Sequence, residues 1–118
     1  MTTNDAPVFS VLGTTAVLFE APGREMTLAT QQRIWSLAHE AQEWPEVREA
    51  VPGMNNLMLA LARPPRDLAG LPHRMLEGWE SVAPMTREGR VVDLLVTYGG
   101  DGGPHMADVV AHTGLSVD

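Results

Sequence analysis

The chain has 118 residues, a formal net charge of −7 and no cysteine, and all eight of its basic residues are arginine. Without cysteine there are no disulfides, thiolate zinc sites or cysteine nucleophiles; without lysine there is no Schiff-base chemistry and no P-loop lysine. The acidic balance argues against a nucleic-acid partner, which needs a clustered basic face, while 44% apolar and 19% charged residues describe an ordinary globular chain.

The length fits one domain, or one small domain and the start of another. No apolar run approaches the ~20 residues that span a bilayer. The opening MTTNDAPVF has neither a basic region nor an apolar signal core, so the expectation is a cytoplasmic protein with no membrane partner.

Two short apolar runs, Pro7–Leu12 and Ala16–Glu20, flank Gly13-Thr14-Thr15 and predict a hairpin. After the breaker Ala21-Pro22-Gly23, the segment Thr27–Glu43 places Ile34, Leu37, Ala38, Ala41 and Trp44 at i, i+3, i+4, i+7 and i+10. That is one apolar stripe of an amphipathic helix, ended by Pro45. Val47–Val51 alternates with period two, Pro52–Asn56 supplies a turn, and Leu57–Ala62 is a more continuously apolar strand. Leu68, Leu71, Met75 and Trp79 have helical spacing, although Gly70 and Pro72 argue against a long helix. Pro72 is placed best at the first helical position, where its missing N–H costs nothing. The order β-β-α-β-β-α predicts an α+β fold over residues 1–80, an antiparallel sheet with two helices on one face.

Residues 81–90 (SVAPMTREGR) are polar without a period and read as a linker. Val91–Tyr98 is nearly continuously apolar, which predicts a strand buried on both faces. The turn Tyr98-Gly99-Gly100-Asp101-Gly102-Gly103-Pro104 leads into a helix from about His105 to Thr113, with Met106, Val109, Val110 and Thr113 as its stripe. Gly114 is placed for a left-handed cap, Leu115 for the accompanying apolar contact, and Ser116 for the N-cap of another helix. Only two residues follow Ser116, so the expectation is an incomplete second unit over residues 91–118.

The candidate site is the glycine turn with its flanks: Tyr98, Gly99, Gly100, Asp101, Gly103, Pro104 and His105. Four glycines in five positions permit positive φ and close approach of a ligand to the backbone, and a helix start beyond them can hold an anion. The spacing is neither the dinucleotide fingerprint nor a Walker motif, so a structural turn and a ligand loop both stand. His105 and His112 lie on one helix face but about 10 Å apart along the axis, too far to share one metal ion, and no metal site is expected. Asp108 precedes His112 by four residues, the spacing of a helix-surface pair. Glu40, Glu43, Glu46 and Glu49 step by three but cross Pro45, so they read as solvated surface. Trp35, Trp44 and Trp79 are either core or a partner-binding patch. No catalytic residue can be assigned.

Three blocks of sequence carry a family resemblance: Leu12–Glu20; Val47–Pro52 with Leu57–Leu61; and Val92–Ser116. Together they resemble the N-terminal part of the KipI/PxpB family, which includes the B-type subunit of 5-oxoprolinase and allophanate hydrolase subunit 1. The family's last block is an apolar strand ending in Tyr-Gly-Gly, an acidic residue, Gly-Pro, a helix and a Gly-Leu-Ser turn. Here these are Tyr98-Gly99-Gly100, Asp101, Gly103-Pro104 and Gly114-Leu115-Ser116. Thr14, Leu95 and His105 depart from the usual aspartate, proline and aspartate.

The resemblance implies that Val91 begins the first strand, and His105 the first helix, of a truncated cyclophilin-like β domain. It implies one segment of a multi-subunit, ATP-dependent amide hydrolase of the 5-oxoprolinase type, inactive alone. ATP would serve the full complex, with no cofactor for this chain by itself. The implied partners are a second subunit of related cyclophilin-like architecture and a 5-oxoprolinase A-type subunit. An alternative within the family is a protein-binding inhibitor of a sensor histidine kinase; a third reading is a stand-alone ligand-binding domain built on the glycine turn. The substrate, whether 5-oxoproline, allophanate or another amide, is left open.

Overall fold

The computed structural model describes residues 6–118. They fall into two compact units, divided between Arg87 and Glu88.

The first unit is built on a four-stranded antiparallel sheet in the order β1-β2-β4-β3. The strands are β1 (Val8–Leu12), β2 (Ala16–Glu20), β3 (Val47–Pro52) and β4 (Asn56–Leu61). Gly13, at φ 61°, turns β1 into β2, and Asn55, at φ 55°, turns β3 into β4. Both take the left-handed conformation that glycine and asparagine tolerate best. The two central strands bury alternate residues on one face, and register sets Val17 opposite Leu59 and Phe19 opposite Leu57. Period-two burial of this kind fixes the register, because a one-residue slip would turn every one of these side chains to water.

Helix α1 (Leu28–Gln42) covers that face with Ile34, Leu37, Ala38 and Ala41, as its spacing predicts. Thr27 caps its start, its hydroxyl accepting from the Thr30 N–H at 3.1 Å. Helix α2 (Gly70–Ser81) adds Leu71, Met75 and Trp79, and the Trp79 ring lies 5.3 Å from that of Phe19. Six of the core side chains (Phe19, Ile34, Leu37, Leu57, Leu59 and Met75) are fully enclosed. Each such side chain contributes about 1.5–3 kcal/mol by leaving water.

Pro72 is the third residue of α2, not the first. A proline there costs the helix nothing, since none of the first four N–H groups of a helix has an intrahelical partner. Asp67 organises this start, accepting from the Ala69 and Gly70 N–H groups at 3.0 Å each. Beyond α2, Met85 donates its N–H to the Gln32 carbonyl and Ser36 donates to that of Ala83. The first half of the expected linker is thereby fastened along α1.

The second unit holds a 3₁₀ turn (Gly100–Gly102) and helix α3 (Met106–Thr113). Gly114 closes α3 at φ 71° and donates its N–H to Val110, the cap its position predicts. The strand predicted over residues 91–98 is not formed. Its side chains, expected to be buried on both faces, lie in water: Val91 is 91% exposed and Leu95 fully exposed. A strand exists only as one side of a ladder, and the described residues of this unit supply no second strand to pair with. The apolar run therefore stays unpaired, and the first strand of a cyclophilin-like β domain is absent from the described residues. The α3 stripe is likewise not enclosed: Val109 is exposed, and Met106 and Val110 only half-buried.

Candidate functional site

The glycine turn is a closed backbone device. Gly99 and Gly100 have φ values of 83° and 55°. The Gly103 N–H donates to the carbonyls of Gly99 and Gly100 at 2.9 and 3.3 Å, and the Met106 N–H donates to Gly103 at 3.1 Å. A Cβ on Gly103 would stand 2.5 Å from the Gly99 nitrogen, backbone against backbone, so this position admits no side chain. The donors that would cradle an anion at Gly103 and Met106 are thus engaged within the turn itself.

Around this turn the sequence-derived candidates are exposed. Tyr98 is 70% accessible, and Asp101, Pro104 and His105 face water. His105 precedes α3 and lies 3.7 Å from Asp108, both side chains more than four-fifths exposed. Asp108 therefore approaches His105 rather than His112, the partner its spacing predicts; exposed pairs of this kind contribute little. A phenol, a carboxylate and an imidazole sit on one short, exposed stretch. Among the described residues, no three acidic or histidine side chains converge as a metal site. No helix there is long and apolar enough to cross a membrane.

The first unit distributes its candidates differently. Glu40, Glu43 and Glu49 are exposed, but Glu46 is half-buried and paired with Arg74 at 2.7 Å. Arg74 in turn lies over the Trp44 ring at 3.9 Å, and Arg33 over Trp79 at 3.9 Å while donating to the Trp79 carbonyl. Trp44 and Trp79 are buried; Trp35 is only half-buried. The three tryptophans thus do not form one patch.

Two glutamines of α1 act on backbone that sequence periodicity does not connect to them. Gln31 donates to the Gly53 carbonyl at 2.8 Å and accepts from the Asn55 N–H at 3.0 Å. Gln42 accepts from the Ala50 N–H at 2.9 Å and donates to the Arg48 carbonyl at 3.4 Å. Each side-chain amide stands in for a peptide group, Gln31 at the β3–β4 turn and Gln42 along the edge strand β3. In a helix, both residues read only as surface positions.

The β-β-α-β-β-α unit is followed in sequence by the Tyr-Gly-Gly turn and capped helix. Residues 7–118 match the family described as carboxyltransferase domain, subdomain C and D, and the chain belongs to that family, as an N-terminal part of its KipI/PxpB members. It is similar to the B-type subunit of 5-oxoprolinase from Escherichia coli O157:H7, with 42% identity over 106 residues. The aligned stretch is 90% of this chain and 48% of that relative, so the chain spans about half the relative's length. No observation favours the kinase-inhibitor alternative.

Proposed function

We propose that the chain forms the N-terminal half of a B-type subunit of a cytoplasmic, multi-subunit, ATP-dependent amide hydrolase of the 5-oxoprolinase type, and has no turnover of its own. The observation that carries this is the 42% identity, over 90% of the chain, to a protein named as one subunit of a 5-oxoprolinase. The reaction is the ring opening of 5-oxoproline to glutamate, with ATP as co-substrate of the whole complex. The partners are a second subunit of related cyclophilin-like architecture and an A-type subunit.

In this reading residues 1–80 are the α+β domain, 81–90 a connector, and 91–118 the entry to a cyclophilin-like domain. The apolar run at 91–98 becomes a strand when the rest of the subunit supplies its neighbours. The exposure of Val91, Leu94 and Leu95 supports that, since a segment this apolar has a partner in the assembled state. The turn from Tyr98 to His105 presents its exposed groups as an interface loop.

The test is an assay of glutamate and ADP formation from 5-oxoproline and ATP. The purified chain alone is expected to give none, and robust turnover would overturn its inactivity. A chimera of this chain with the second half of the relative, mixed with the two partner subunits, is expected to restore turnover. Failure of that mixture with 5-oxoproline, alongside success of the relative's own full-length protein, would overturn the assignment. In the same complex, Gly100→Val is expected to weaken assembly; unchanged assembly removes the loop from the interface.

A further inference from the structure

Helix α1 has a second organised face. Leu28, Gln32, Trp35, Ala38, His39 and Gln42 floor an open cavity of ≈ 630 Å³. Ala50 and Pro52 of β3 form one wall and Arg87 contributes to the rim. A second cavity of ≈ 380 Å³ shares Leu28 and Trp35 and adds Met26 and Met54. Met26, Leu28 and Met54 are 63%, 66% and 65% exposed. Methionines beside an accessible tryptophan make an adaptable apolar surface of the kind that meets a partner.

The floor residues recur on successive turns of one face of α1, a face along which a second helix can lie. At 1.5 Å per residue the seam is about 21 Å long, roughly four helical turns. Strand addition at this edge is opposed, because Gln42 already holds the Ala50 N–H and the Arg48 carbonyl and Pro52 has no N–H. An occupant therefore meets side chains rather than backbone. Charge narrows it further. Neither cavity is lined by a carboxylate, in a chain with fifteen acidic and eight basic residues, and Arg87 and His39 are the ionisable groups present.

We infer that this seam docks an amphipathic helix of a partner protein, its apolar stripe on Leu28 and Trp35 and its carboxylates reaching Arg87 and His39. The inference goes beyond the enzymatic reading and does not rest on it.

The probe is a synthetic helix of about 16 residues, long enough for the seam, with leucines at heptad spacing and flanking glutamates. Its binding to the 118-residue chain is followed by anisotropy of a label on the peptide. Saturable binding is expected, weakened about tenfold by Arg87→Glu. A peptide with lysines for glutamates is expected to bind the parent weakly and to recover on Arg87→Glu. Leu28→Asp, at an exposed position, abolishes the apolar contact without reaching the core and stands beside Trp35→Ala should the latter misfold. Absence of binding at millimolar peptide, equal binding of both peptides, or binding untouched by Leu28→Asp would each overturn the inference. So would sedimentation showing that the chain pairs with itself through this face and excludes the peptide.

Discussion

Replacing Gln31 separates the two halves of its clamp. In Gln31→Ala two hydrogen bonds, at 2.8 and 3.0 Å, are lost from half-buried backbone groups at Gly53 and Asn55. At about 0.5–1.5 kcal/mol each, offset by a few tenths for the better helix propensity of alanine, the loss is roughly 1.5 kcal/mol. Gln31→Glu keeps the bond accepted from Asn55 but sets a carboxylate oxygen against the Gly53 carbonyl, two acceptors facing each other. It is therefore expected to destabilise at least as much as alanine, despite being the smaller chemical change. Urea unfolding followed by tryptophan fluorescence measures both. For a unit of this size, 1 kcal/mol corresponds to about 4–8 °C in Tm. Gln42→Ala serves as the control: its contacts are solvent-exposed, water replaces them, and the loss is about 0.5 kcal/mol or less. A Gln31→Glu variant as stable as the parent, or equal losses at positions 31 and 42, would refute the clamp.

Gly78 of α2 lets the two helices approach, since a Cβ there would stand 2.8 Å from a Leu37 methyl that is itself fully buried. Gly78→Ala is expected to cost a net ~1 kcal/mol, overpacking outweighing the gain in helix propensity, and to become stabilising in a Leu37→Ala background; thermal unfolding of the four-member cycle checks the sign. Gly114→Ala forces a side chain into φ 71° and is expected to lose about 1 kcal/mol of α3 cap stability, with Gly114→Asn losing less, read as faster exchange of the residue 114 amide, which donates to the Val110 carbonyl. Leu95→Asp, at a fully exposed position, should leave the isolated chain's unfolding within about 0.5 kcal/mol of the parent while impairing assembly with the partner subunits in a pull-down.

The elements of the first unit are legible because their signals are local. The stripe Ile34, Leu37, Ala38 and Ala41 can be satisfied by one helix face, and the alternation in β2 and β4 by one side of a sheet. Val91–Tyr98 carries an equally good strand composition, yet a strand is a relation between two segments and composition specifies only one of them. The glycine turn is legible as a turn for the same local reason, since Gly99 and Gly100 take positive φ and Gly103 leaves no room for a Cβ. What no periodicity announces is the long-range chemistry: Gln31 and Gln42 gripping backbone, Arg33 and Arg74 each lying over a tryptophan, and Glu46 held by Arg74. Those pairings depend on how α1, α2 and β3 come to rest together, which sequence spacing does not encode.

The amide of Gln42 also makes the two margins of the sheet unequal. Along β3 it occupies hydrogen-bonding groups that another chain would need; along β1, Val11 and Leu12 are accessible and, among the described residues, no strand lies beyond. Among the described residues, β1 is therefore the margin more open to pairing. Two copies joined β1 to β1 would present β3 at both ends, where Gln42 holds the Ala50 N–H and the Arg48 carbonyl and Pro52 has no N–H, so further pairing would be disfavoured there. One side chain thus makes β3 the poorer of the two margins for pairing.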